Sequence, residues 1–109
     1  MAYDEGLAER LESFMPQDPS LTTEHMFGGF GYLLNGNMCI GIWKDSLILR
    51  VGIQVANDLL TQPHIKPFDI TGKAMKGWAM VTPIALSEDE DLQHYIKLCV
   101  DFVQTLPKK

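Results

Sequence analysis

The sequence predicts an α+β domain: an antiparallel sheet with helices, in the order α-β3-α-β2-α. Three observations carry that reading. Apolar residues recur at helical spacing near both ends of the chain. Period-two alternation runs through the middle, around an Asn35-Gly36 pair. A second, shorter strand pattern follows between Pro67 and Pro83.

The first helix is expected from about Tyr3 to Met15. Leu7, Leu11, Phe14 and Met15 share one face, with Glu9, Arg10 and Glu12 largely off it. Pro16 and Pro19 end it, because proline cannot continue the hydrogen-bond ladder. Thr22–Met26 is read as a lead-in strand, and Phe30–Leu34 as the first strand of a meander. Asn-Gly is the strongest two-residue hairpin signal, since a type I′ turn needs φ > 0 at both centres. Met38–Trp43 returns, Lys44-Asp45-Ser46 turns, and Leu47–Val51 is the third strand.

Strict alternation puts Met38, Ile40 and Ile42 on one face and Cys39, Gly41 and Trp43 on the other. A sheet wetted on one side alternates apolar with charged residues. Here both faces are largely apolar. Either helices cover both, or one face is shared with another subunit.

Gln54–Leu60 is a short helix, with Val55, Leu59 and Leu60 as its inward candidates. Thr61–Lys66 is a loop, and Pro67–Ile70 a short edge strand, proline being tolerated at its start. After a turn at Thr71-Gly72-Lys73, Gly77–Thr82 is the next strand, with Trp78 and Met80 opposite Ala79 and Val81. Ser87 and Glu90 have capping-box spacing and open a last helix that runs to about Thr105. Its apolar face is Leu92, Tyr95, Ile96, Cys99, Phe102 and Val103.

With 109 residues the chain fits one domain, and 46% hydrophobic with 21% charged residues is an ordinary globular mix. Net charge is −5 and uneven: the first 24 residues and the Glu88–Asp91 run are acidic, while Lys44–Lys76 leans basic. An acidic chain without a Lys/Arg run is a poor direct binder of phosphate backbones, so no direct nucleic-acid partner is expected. Cys39 and Cys99 have neither CxxC nor Cys/His ligand spacing. The N-terminus is acidic and has no apolar signal region, and no apolar run reaches the length of a membrane span. A reduced, cytoplasmic protein without a membrane partner is the expectation.

Chemistry is sparse. Gly28-Gly29-Phe30-Gly31 invites a phosphate-loop reading, but a dinucleotide fingerprint needs a strand before it and a helix after it. A strand and a hairpin follow instead, so tight backbone is the better account. His25, His64 and His94 lie on three different elements. Glu90 and His94 share a helix face at i, i+4, a spacing metals use and solvated pairs use far more often. Cys39 has no basic neighbour in sequence to activate it, and Cys99 sits on an apolar helix face, so both read as inert buried thiols. No catalytic residue, cofactor or metal is therefore expected. Tyr32, Trp43 and Trp78 read first as core, and two Trp on short strands with two apolar faces also make them interface anchors; Met26, Met38, Met75 and Met80 suit either role as adaptable packing.

Met26-Phe27-Gly28-Gly29-Phe30-Gly31, Asn35-Gly36-Asn37-Met38 and Leu47-Ile48-Leu49-Arg50-Val51 resemble the N-terminal domain of the TfoX/Sxy competence regulators. Asp69-Ile70-Thr71-Gly72-Lys73-Ala74-Met75-Lys76-Gly77-Trp78 resembles that family's second signature, with Lys73-Ala74 where the family has Arg-Pro. The motif residues are Met26, Phe27, Gly28, Gly29, Gly31, Met75, Lys76 and Gly77. The resemblance covers nearly the whole chain. It implies a secretion-chaperone-like α+β fold in the order read above, with no established catalytic residue or cofactor. Full-length relatives regulate natural transformation and carry a second, helical domain that these residues do not include.

The expected function is a non-catalytic protein-interaction or regulatory domain, homodimeric, with a further protein partner of unknown identity and Tyr32, Trp43 and Trp78 as interface candidates. The alternative is a small anionic-ligand or enzymatic site lined by Arg50, Lys73 and Lys76, whose cationic groups suit an anion if their loops fold together.

Overall fold

The computed structural model describes residues 3–26, 28–69 and 72–108, the Met26 side chain excepted. Helix α1 spans Glu5–Phe14, followed by strands β1 (Leu21–Met26), β2 (Gly29–Leu34), β3 (Asn37–Trp43) and β4 (Ser46–Arg50). Helix α2 (Ile53–Leu59), strands β5 (Ile65–Lys66) and β6 (Trp78–Val81), a 3-10 turn at Pro83–Leu86 and helix α3 (Asp89–Val103) complete the chain. The α+β class is as expected, but four strands stand between α1 and α2, not three. The lead-in segment pairs along its full length with β2, from Leu21 opposite Leu34 to Met26 opposite Gly29.

One antiparallel sheet results, in the order β1-β2-β3-β4-β6-β5. The Asn35-Gly36 turn forms as expected, with φ of 54° and 83°. Helix α3 lies across β3 and β4, with α1 beside it. The main core collects on this face: Leu7 and Leu11 from α1, Ile40, Ile42, Leu47 and Leu49 from the strands, and Leu92, Ile96 and Val103 from α3. Asp4 caps α1 by accepting the Leu7 N–H at 3.1 Å. Arg10 on α1 reaches Asp89 at the start of α3, 3.0 Å away. Buried Asn37 donates from Nδ2 to the Pro107 carbonyl at 2.9 Å and so fixes the C-terminal tail to β3.

Three local expectations are corrected. First, Tyr32 opposes Ile40 while Leu33 opposes Met38, which leaves Cys39 as an extra residue in a β-bulge. Cys39 therefore joins Ile40 in the helix-side core. Met38 falls on the other side, where its Cε would sit 2.8 Å from a Cβ at Gly31 or at Gly41. Strict alternation fails because a bulge puts two neighbouring side chains on one face. Second, the edge strand is Ile65–Lys66 and not Pro67–Ile70. Phe68 instead folds over the outer face against Ile48 and Met80. The Ile70 and Thr71 portion of that expectation lies outside the described residues. Third, Ser87 does not cap α3. Its backbone is already helical (φ −66°, ψ −31°) as it leaves the 3-10 turn, and its hydroxyl donates to the Ile84 carbonyl. Glu88 holds the extended cap position, without a side-chain cap bond.

Candidate functional site

The face opposite the helices is finished by the chain itself. Ile48, Phe68 and Met80 form a small buried cluster, packed by Trp43, Met75 and Trp78. The loop after β5 supplies the cover: the Phe68 carbonyl accepts the Met75 N–H at 3.0 Å, and the Phe68 and Trp78 rings lie 5.6 Å apart. Lys44 places its ammonium 4.5 Å from the Trp43 ring centre, and Arg50 its guanidinium 5.5 Å from that of Trp78. Both tryptophans are half-buried and engaged within the chain. Of the three aromatic candidates, Tyr32 is buried in the core. It lies on the helix-covered face at 8% exposure, and burial, then the Glu12 carboxylate, push its hydroxyl pKa upward.

Of the three proposed anion-binding cations, the structure brings two together. Arg50, at the end of β4, and Lys76, just before β6, line one recess of about 320 Å³ with Gly52, Ile53, Gly77, Trp78 and Phe102. Lys73 is exposed and does not line it. The floor is a close backbone junction. The N–H groups of Val51 and Gly52 both donate to the Gly77 carbonyl, at 3.0 and 3.1 Å. Gly52 and Gly77 take φ of 88° and 85°, and a Cβ at Gly52 would lie 2.8 Å from the Phe102 ring. The later family motif thus has a structural account: Met75 packs the outer cluster, Gly77 closes the junction, and Lys76 is left exposed at the recess. Ile53 and Phe102 were not legible as site residues, because only the tertiary approach of α2 and α3 to the β6 loop brings them there.

The earlier motif is also structural. Gly28 sits in the β1–β2 turn with φ of 76°, and Gly29 and Gly31 are buried in β2. Phe27 and the Met26 side chain lie outside the described residues. A helix does not follow these glycines, so no amide ring faces a phosphate there.

At the edge of the sheet, β1 is open. The Asn35 N–H donates to the Ser20 carbonyl at 2.9 Å, which fixes the phase of the ladder. Counting along β1, Thr22 and Glu24 turn their backbone groups to β2, and Thr23 and His25 turn theirs outward. Among the described residues those outward groups have no hydrogen-bond partner. His25 is exposed and its ring lies 5.6 Å from Phe30 and 6.1 Å from Tyr3.

The two thiols are free and fully enclosed. Burial pushes Cys39 up to about 12, with Arg50 drawing it slightly back. Cys99 is raised well above the ordinary thiol value, by burial and then by the neighbouring Cys39, while the Arg50 backbone N–H opposes the shift. Neither thiol is activated as a nucleophile. His64 and His94 are exposed, on the loop before β5 and on α3. Among the described residues no three His, Cys, Asp or Glu side chains gather to hold a metal ion, and no helix is long and apolar enough to cross a membrane.

No curated protein and no solved structure matches the chain. The family model described as the TfoX N-terminal domain matches residues 12–103. With both signature runs inside that span and most of the sheet and helices covered, the chain belongs to the TfoX N-terminal domain family.

Proposed function

We propose that this chain is a non-catalytic protein-interaction domain with a regulatory role, acting as a homodimer joined along β1. The observation that carries the reading is the open edge of that strand. Six residues long and free of proline, β1 offers the outward backbone groups of Thr23 and His25 to another strand. The outer sheet face, by contrast, already has Phe68, Met75 and the two tryptophans over it. A two-fold pairing centred on Thr23 sets Thr22 opposite Glu24 of the second copy and keeps the two Glu24 carboxylates from facing one another. The cytoplasm is the compartment we infer, on the two free thiols in the core. A further protein partner would meet the dimer. DNA contact is not part of the proposal, given the net charge of −5.

The test is sedimentation at micromolar concentration, with Thr23→Pro as the probe. Proline there removes an outward N–H and leaves the β1–β2 ladder intact. The expected result is a wild-type dimer and a folded, monomeric variant. A wild-type monomer, or a Thr23→Pro variant that still dimerises, overturns the proposal.

A further inference from the structure

We propose that the recess beside Arg50 and Lys76 binds a small anion with a flat apolar body, its head a carboxylate or a phosphate. The inference is independent of self-association through β1, which lies at the far side of the sheet.

The charge in the recess is unbalanced. Arg50 and Lys76 line it, and among the described residues no carboxylate does. Both ion pairs among the described residues lie elsewhere, Arg10 with Asp89 and Lys97 with Asp101. Arg50 is half-buried, yet among the described residues the one hydrogen bond of its guanidinium is a long one, from Nη1 to the Met38 carbonyl at 3.4 Å. The contact with the Trp78 ring uses no N–H, so among the described residues the other guanidinium N–H groups are unspent. A partly desolvated cation without a counter-charge is costly, and an anion offsets that cost. This positive recess stands out in a chain of net charge −5.

The apolar half of the ligand follows from the walls. Ile53 is 59% exposed, a large aliphatic side chain left at the rim of the recess. Trp78 and Phe102 supply flat aromatic surface. Because the Val51 and Gly52 N–H groups are both spent on Gly77, the floor offers no donors from these residues. Recognition therefore falls to the two cationic side chains for the head and to Ile53, Trp78 and Phe102 for the body. A volume of about 320 Å³ sits at the small end of ligand cavities and suits a body of one or two fused rings.

The experiment is a titration of the protein with naphthoate, naphthyl phosphate and the neutral naphthamide, read by amide shifts at Gly52 and Gly77 and by the Trp78 indole signal. Saturable shifts at these positions are expected with one or both anions, the tighter one identifying the head. Naphthamide should bind about tenfold more weakly. Lys76→Ala should weaken the anion several-fold and Arg50→Lys at least as much, while Lys73→Ala, outside the recess, should leave binding unchanged. Amide spectra of the variants check their folding, and surface-exposed Lys76 keeps the test valid should Arg50→Lys perturb the fold. Equal binding of naphthoate and naphthamide, shifts centred elsewhere, or an unchanged affinity in Lys76→Ala would sink the idea.

Discussion

On the helix-covered face, Ile40, Leu49 and Val81 meet side chains from α1 and α3 in one continuous core. On the opposite face, Ile48 and Met80 are covered by Phe68 and Met75 from a loop, and Trp43 and Trp78 remain half-buried. The first face buries its surface under helices remote in sequence. The second uses a segment that leaves the sheet at β5 and returns at β6, so its cover is short-range and partial. The difference teaches where stability and function separate in so small a domain. The helix side holds the fold together, and the loop side leaves cationic and aromatic groups at the surface.

The contrast is open to direct attack. Leu49→Ala, fully enclosed between sheet and helix, should cost about 2–5 kcal/mol, because the cavity cannot collapse. Trp43→Ala on the other face should cost less, about 1–2 kcal/mol, since that ring is only partly enclosed. Chemical unfolding of the two variants checks the ratio. Similar losses would show that the loop side carries as much of the fold as the helix side.

A finer probe uses the paired glycines beneath Met38. A Cβ at Gly41 would lie 2.9 Å from the Phe30 carbonyl oxygen, which is backbone, whereas at Gly31 the closest atoms belong to the Met38 thioether end. Gly41→Ala should therefore cost about 1–3 kcal/mol, and Gly31→Ala under about 1 kcal/mol as Met38 swings aside. Unfolding midpoints measured side by side test whether the outer face yields at side chains and resists at backbone.

The smallest effect concerns the sealed thiols. The folded pKa of Cys39 lies above its unfolded value, so the unfolded chain loses its proton first as pH rises. Stability from this group is whole below about 9 and declines as pH climbs toward about 12. Cys99 is shifted the same way and adds to the slope. Wild type should thus lose more stability between about pH 8 and about pH 10.5 than Cys39→Ala does, measured as the change in urea midpoint. Parallel pH profiles for the two proteins would contradict the burial of the thiol.

Legibility followed locality. Asn35-Gly36 announced its own turn, and the spacing of Leu7, Leu11 and Met15 announced their burial, because each signal lies within a few residues. The opposition of Trp78 and Met80 to Ala79 and Val81 was readable for the same reason. The bulge at Cys39 was not, since nothing in β3 alone says that Tyr32 and Leu33 will shift register against it. Ser87 had the right spacing for a cap, but the preceding Pro83–Leu86 turn already held it helical. At the recess, charge makes Arg50 and Lys76 candidates in the sequence, and the fold sets both in its lining. Lys73 was grouped with them on sequence proximity, which a turning loop does not respect. Ile53 and Phe102 came from two helices whose approach no local pattern encodes.

The two ends of the sheet carry a last consequence. At the far end, β5 is two residues long and flanked by Pro63 and Pro67, so it offers almost nothing to a further strand. A filament of stacked sheets needs two usable edges on every molecule. Among the described residues this one has β1 alone. In the proposed pairing along β1, growth by strand addition would stop after a single step, because β5 is too short to take a further strand.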